Sequence, residues 1–149
     1  MAKPNWMVCL LVGAAGCLEP EVPPTVRAVM HAAPTFELSQ DQLTFTMALG
    51  NDGPGRAVIA GFCPWHRVES ATGEALPPSM SCVAWGGMNQ FLVEPGEVVF
   101  LALRWRARDE RGDRLPLGAY TLIPDVRGFT PDGEELALRR SSTIVQLTQ

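Results

Sequence analysis

The residues whose types and spacing could do chemistry gather between positions 63 and 88. Cys63-Pro64-Trp65-His66 places a thiol and an imidazole at C-x-x-H spacing, and Met80, Cys82 and Met88 follow. Thiolate, imidazole and thioether are soft donors, a set that suits copper. Firm metal motifs carry clustered cysteines or repeated histidines, and this stretch has neither, so no bound metal and no other cofactor is expected. A soft-metal (copper) carrier is the alternative. Trp65 and Trp85 flank the two cysteines. They are either core side chains beside a bridge or an aromatic platform for a sugar or peptide. Catalysis finds no footing. The chain has no G-x-S-x-G, no H-E-x-x-H and no phosphate-cradling glycine loop, and its only histidines are His31 and His66. It is expected not to be an enzyme.

The front of the chain sets the compartment. Lys3 supplies a short positive region, Trp6 to Val12 a brief apolar core, and Gly13-Ala14-Ala15-Gly16 a small-residue run ending at Cys17. This is too short to span a bilayer, which takes about 20 apolar residues, but long enough for a signal peptide. Ala14-Ala15-Gly16-Cys17 resembles the lipobox of bacterial lipoproteins. The resemblance implies cleavage before Cys17 and a lipid on its sulfur, with residues 1–16 as signal peptide. Leu18 after that cysteine, where other sorting signals carry Asp, implies the outer membrane if the host is Gram-negative. Leu18-Glu19-Pro20-Glu21-Val22-Pro23-Pro24 cannot join a sheet interior and reads as an extended tether over residues 17–24.

The cysteine arithmetic follows. Cys9 leaves with the signal peptide and Cys17 carries lipid, so Cys63 and Cys82 remain. Two leftover cysteines in an oxidising compartment suggest one disulfide. The segment it closes includes Pro77-Pro78, which cannot pair along its length and is expected as an exposed loop.

The body must position these residues. With 149 residues, 46% of them apolar and 19% charged, the chain fits one folded domain, here residues 25–149. Its 13 prolines and 14 glycines are dispersed, which suits short strands joined by turns. The net charge of −4 disfavours nucleic acid as a partner. Val26 to Ala32 reads as a first strand. Leu43, Phe45, Met47 and Leu49 alternate with Thr44, Thr46 and Ala48, giving one buried face, and the run stops at Asn51-Asp52-Gly53-Pro54-Gly55. Further strands are expected at Arg56 to Phe62 with an extension to Ser70, at Gln90 to Val93, from Val98 to Arg108, at Ala119 to Val126 and at Thr143 to Leu147. Ala71 to Glu74 and Glu94 to Glu97 read as turns. In the strand after Glu97, alternation puts Val99, Leu101, Leu103, Trp105 and Ala107 on a core face. Arg104, Arg106 and Arg108 fall on the other face, where they form a stripe that would meet an acidic partner or pair with neighbouring acids. About seven such strands make an all-β, antiparallel sandwich.

Three features in order carry a family likeness: a strand ending in Asn51, the turn Glu94-Pro95-Gly96-Glu97 before a strand with Phe100 and Trp105, and Leu115-Pro116-Leu117-Gly118-Ala119-Tyr120-Thr121-Leu122. Over Leu43 to Leu122 the chain resembles the Ig-like domain of BsuPI-type proteinase inhibitors. The resemblance implies an Ig-like sandwich and, as an alternative function, protease inhibition. The leading expectation is a non-enzymatic envelope lipoprotein that binds or assembles with a protein partner. Trp65, His66, Pro77, Pro78, Trp85, Arg104, Arg106 and Arg108 are the candidate contact residues.

Overall fold

The computed structural model describes residues 25–77 and 89–149. Its strands are β1 (Val26–His31), β2 (Thr35–Glu37), β3 (Leu43–Asn51), β4 (Ala57–Ser70), β5 (Ala75–Leu76), β6 (Asn89–Val93), β7 (Val98–Trp105), β8 (Gly118–Phe129), β9 (Glu135–Leu136), β10 (Leu138–Ser141) and β11 (Thr143–Thr148). They form two sheets of an all-β sandwich. One runs β10-β1-β3-β7. The other runs β2-β11-β8-β4-β5, with β6 also paired to β4 and β9 to β8. The signal segment, the tether, Pro78, Cys82 and Trp85 lie outside the described residues.

The period-two pattern of β3 becomes a buried face. Leu43, Phe45, Met47 and Leu49 all enter the core, where they meet Ile59 of β4, Leu122 and Val126 of β8, and Val145 and Leu147 of β11. Each such aliphatic stabilises the fold by roughly 1.5–3 kcal/mol on burial. Trp105 and Tyr120 join the two layers with ring centroids 5.7 Å apart. The Tyr120 hydroxyl donates to Pro116 O at 2.9 Å, and burial pushes its pKa up. Gly118, at φ 148, lets the chain enter β8 at an angle that other residues resist.

The sheets are mixed rather than purely antiparallel. β1 pairs with β10 in parallel, and β2 pairs with β11 in parallel. The first two strands of the domain thus run beside the last two, one pair in each sheet. Pairings between opposite ends of the chain leave no local sequence signal. The short segments β2, β5, β9 and β10 are likewise absent from the expected strand set, because mostly exposed segments of two to four residues carry no period.

Asn51, at the end of β3, is fully buried. Its Nδ2 donates to Gly55 O at 2.7 Å and to Val93 O at 3.0 Å, and its Oδ1 accepts from Gly53 N at 3.0 Å. Its backbone N–H donates to Glu97 O and its carbonyl accepts from Gly96 N–H. One residue therefore fastens the turn after β3, the end of β6 in the opposite sheet and the turn into β7. An aspartate could not donate to the two carbonyls, so the position calls for an amide. Asn51→Ala leaves three backbone groups unpaired, at about 1 kcal/mol each or more. Urea denaturation is expected to show a loss of about 3 kcal/mol, and a change below about 1 kcal/mol would show that Asn51 does not hold the junction.

Candidate functional site

The C-P-W-H segment sits at an irregularity in β4. Gly61 pairs with Val126 of β8 and His66 pairs with Pro124, so residues 62–65 stand opposite Asp125 alone. The extra length bulges. The Cys63–Pro64 peptide is cis, and Trp65 adopts φ 70. A left-handed conformation costs a bulky residue roughly 1–2 kcal/mol. Burying an indole removes about 150–250 Å² from water, worth roughly 4–6 kcal/mol at about 25 cal/mol per Å². Packing therefore outweighs the backbone cost. The Trp65 ring lies against Gly61, where an added Cβ would stand 2.5 Å from its Cε3, and 5.5 Å from the Phe91 ring.

The turn at Trp65 breaks the inside–outside alternation, so Trp65 and His66 are both buried although adjacent. The sequence makes His66 a candidate contact residue and Trp65 either core or platform. The structure buries both. His66 meets the Phe45 ring edge-on at 4.9 Å, and its Nδ1 lies 2.8 Å from Pro64 O, which only an N–H at Nδ1 can use. Phe62 and Cys63 point outward. Cys63 is engaged in an interaction, and Cys82 lies outside the described residues. No group of three or more His, Cys, Asp or Glu suited to a metal occurs among the described residues. Beside the bulge, Pro64, His66, Leu76, Pro77, Trp105 and Asp125 line a hollow of about 230 Å³. Pro77 is exposed, as expected for its loop.

Along the arginine stripe the alternation of burial runs past the end of β7: Leu103, Trp105 and Ala107 are buried, while Arg104 and Arg106 face solvent. Arg108 N–H then turns back to Arg106 O at 2.8 Å. Arg104 stays exposed on the strand and Arg106 is exposed beyond it. Arg108 is occupied. Its Nη2 donates to Asp41 Oδ1 at 3.0 Å and its Nη1 to Gly112 O at 2.9 Å. The Arg108 guanidinium, with Arg106 and Arg114 nearby, holds the Asp41 carboxyl below its usual range.

What the sequence reading missed is an apolar outer surface on the β4 sheet. The registers put Leu92 of β6, Val58 of β4 and Phe129 of β8 in one row, and Gln90, Ala60 and Arg127 in the next. Phe62 stands alongside at 67% exposure and Leu92 at 51%. Phe62, Ala60, Phe129, Asp125 and Arg127 border a second hollow of about 410 Å³. The signal was available: Phe62 and Leu92 have the parity opposite to Ile59 and Val93.

No known protein family matches this chain, and no curated protein does. Solved structures resemble it in fold. The C-terminal domain of wzt aligns at 20% identity and a TM-score of 0.54, covering 82% of this chain and 71% of that one. The ApaA protein from Bordetella pertussis aligns at 16% identity and a TM-score of 0.52, covering 85% and 94%. The β-glucosidase EmGH1 from Erythrobacter marinus aligns at 19% identity and a TM-score of 0.49; the chain spans 16% of that enzyme's length. At these identities the likeness is one of fold alone.

Burial holds the His66 imidazole below its ordinary pKa of 6.5, against the pull of Pro64 O and of the Asp125 charge. In the unfolded chain the ring takes its proton near 6.5, while the folded chain resists until lower pH. The unfolded state then binds more protons in that window, so stability is kept above it and falls as pH drops through it. His66→Gln is expected to remove this acid-side loss. Urea midpoints at neutral and mildly acidic pH check it, and equal losses in both proteins would contradict it.

Proposed function

We propose that this chain is a non-enzymatic protein-binding or assembly module, held at a cell-envelope membrane by a lipid on Cys17. The observation that carries the reading is the outward apolar surface at the β4 bulge. Soluble domains expose single apolar side chains routinely, but a contiguous set rimmed by charge marks a contact surface. Leu92, Val58 and Phe129 form one row of this surface, and Phe62 joins it across the hollow it shares with Phe129, with Asp125 and Arg127 at the border. The chemistry around it is poor in reactive groups. Asn51 and His66 are the buried polar side chains among the described residues, and both are turned to backbone carbonyls.

A disulfide between Cys63 and Cys82 fits this reading. It would pin the Pro77-Pro78 loop beside the Phe62 surface, and pre-ordering a contact loop lowers the entropy lost on binding. On the chain-entropy account it also stabilises the fold by roughly 3 kcal/mol. An Ig-like arrangement is part of the proposal, supported by the Tyr120 hydroxyl bond back to Pro116 O, a feature of such sandwiches.

Co-purification of the full chain from its host's membranes, after light cross-linking, tests the reading. A structural envelope protein is expected as the stoichiometric partner. Its capture is expected to fall at least about tenfold with Phe62→Lys and with Leu92→Lys, each leaving the thermal midpoint nearly unchanged. Cys63→Ser is expected to lower both capture and thermal midpoint. A stoichiometric protease would favour the inhibitor alternative instead, and capture indifferent to all three substitutions would remove this surface from the account. Labelled palmitate is expected to enter the wild-type chain and not Cys17→Ser; labelling of neither would remove the lipid anchor.

A further inference from the structure

Sheet edges expose unpaired backbone donors and acceptors, and proteins blunt them by shortness, charge or cover. Most edges here are blunted. β10 is four residues long with two arginines, β2 is three residues, and β5 and β6 are two and five. β7 is different. It ends the β10-β1-β3-β7 sheet with eight residues, and among the described residues no strand pairs with its outer side. From Val98 to Leu103 it carries no charge, no proline and no bulge. Phe100 is 67% exposed on its outer face, Ala102 is exposed beside it, and Val98, Val99 and Leu101 are half-buried.

The charges around this edge are polarised. Exposed Glu94 and Glu97 precede the strand, while exposed Arg104 and Arg106 end and follow it. Neither arginine has an ion pair among the described residues; the Glu94 carboxylate has a 4.0 Å contact with Arg56, and the Glu97 carboxylate accepts from Glu94 N–H at 2.8 Å. A parallel neighbour of the same kind would set acid beside acid and arginine beside arginine. An antiparallel one sets the acidic end of each strand beside the basic end of the other.

We propose that the β7 edge is a self-association site, where a second copy of this chain adds its own β7 antiparallel about a two-fold axis. The two four-stranded sheets then become one continuous sheet. Near the axis, Phe100 of each copy covers Phe100 or Ala102 of the other. At both ends Glu94 and Glu97 face Arg104 and Arg106. The contact is isologous, so it closes at two copies. A single strand-edge contact is small for a specific interface, and the dimer is expected to form over a micromolar concentration range.

Sedimentation of the full chain in detergent tests this. The wild type is expected to pass from monomer to dimer with rising concentration. Phe100→Lys, R104E/R106E and E94R/E97R are each expected to weaken association at least about tenfold. Circular dichroism identifies any variant that fails to fold. The two charge-reversed variants, each monomeric alone, are expected to form a heterodimer when mixed, because one is acidic at both strand ends and the other basic. A wild type that stays monomeric at high micromolar concentration overturns the proposal. So does a dimer that survives Phe100→Lys and R104E/R106E, or folded charge-reversed variants that do not associate on mixing. Loss of partner capture through Phe62 leaves these readouts untouched, so the two surfaces fail separately.

Discussion

At the end of β3 a single amide side chain satisfies backbone groups from three stretches of chain. Asn51 reaches the turn after its own strand and the last carbonyl of β6, and its main chain closes the turn into β7. A buried amide is costly unless every group finds a partner. Here both Nδ2 hydrogens and the Oδ1 are used, so desolvation is offset where the two sheets must meet. The turn at Gly96 and the start of β7 are set from this point, and the apolar alternation of β3 is held in register with β7 along its length. Hydrophobic burial supplies most of the stabilisation, but it is non-directional. The directional bonds of Asn51 select one arrangement of the layers.

With the frame fixed, the irregularities decide what faces outward. The β4 bulge turns Trp65 and His66 inward and leaves Phe62 and Cys63 outside. The Trp65 and His66 side chains of this segment thus serve packing, and Phe62 and Cys63 form its outer rim. At the other side of the sandwich, β7 meets no neighbour beyond β3 among the described residues. The two proposed contact features, a sheet face around Phe62 and a strand edge around Phe100, thus lie apart on the sandwich. Their separation allows a module to bind a partner through one and a second copy through the other.

Much of this was legible in the sequence where period two is strict. Leu43 to Leu49 and Val99 to Trp105 gave their strands and core faces, and the turns at Ala71 to Glu74 and Glu94 to Glu97 lie where Gly and Pro put them. Alternation failed where the backbone left the extended region. Trp65 at positive φ reversed the parity of His66. The parallel pairs β1–β10 and β2–β11 depend on contacts more than 100 residues apart in sequence, which no local pattern encodes. The outer surface was missed for another reason. An exposed Phe62 reads, one residue at a time, as an ordinary strand residue; only the registers of β6 and β8 set Leu92 and Phe129 beside Val58 on the same outer face, with Phe62 bordering a hollow shared with Phe129.

The most direct test of the account is native-state hydrogen exchange at the amides of Asn51, Gly53 and Gly96. Each donates into the Asn51 junction, to Glu97 O, Asn51 Oδ1 and Asn51 O respectively. If this junction orders the sandwich, all three exchange only through global unfolding, at the rate of core amides such as Met47 and Leu122, although two of them lie in turns. Fast exchange at Gly53 and Gly96, independent of global stability, would mean that the turns fray while the core stays closed, and that hydrophobic packing alone sets the arrangement of the layers.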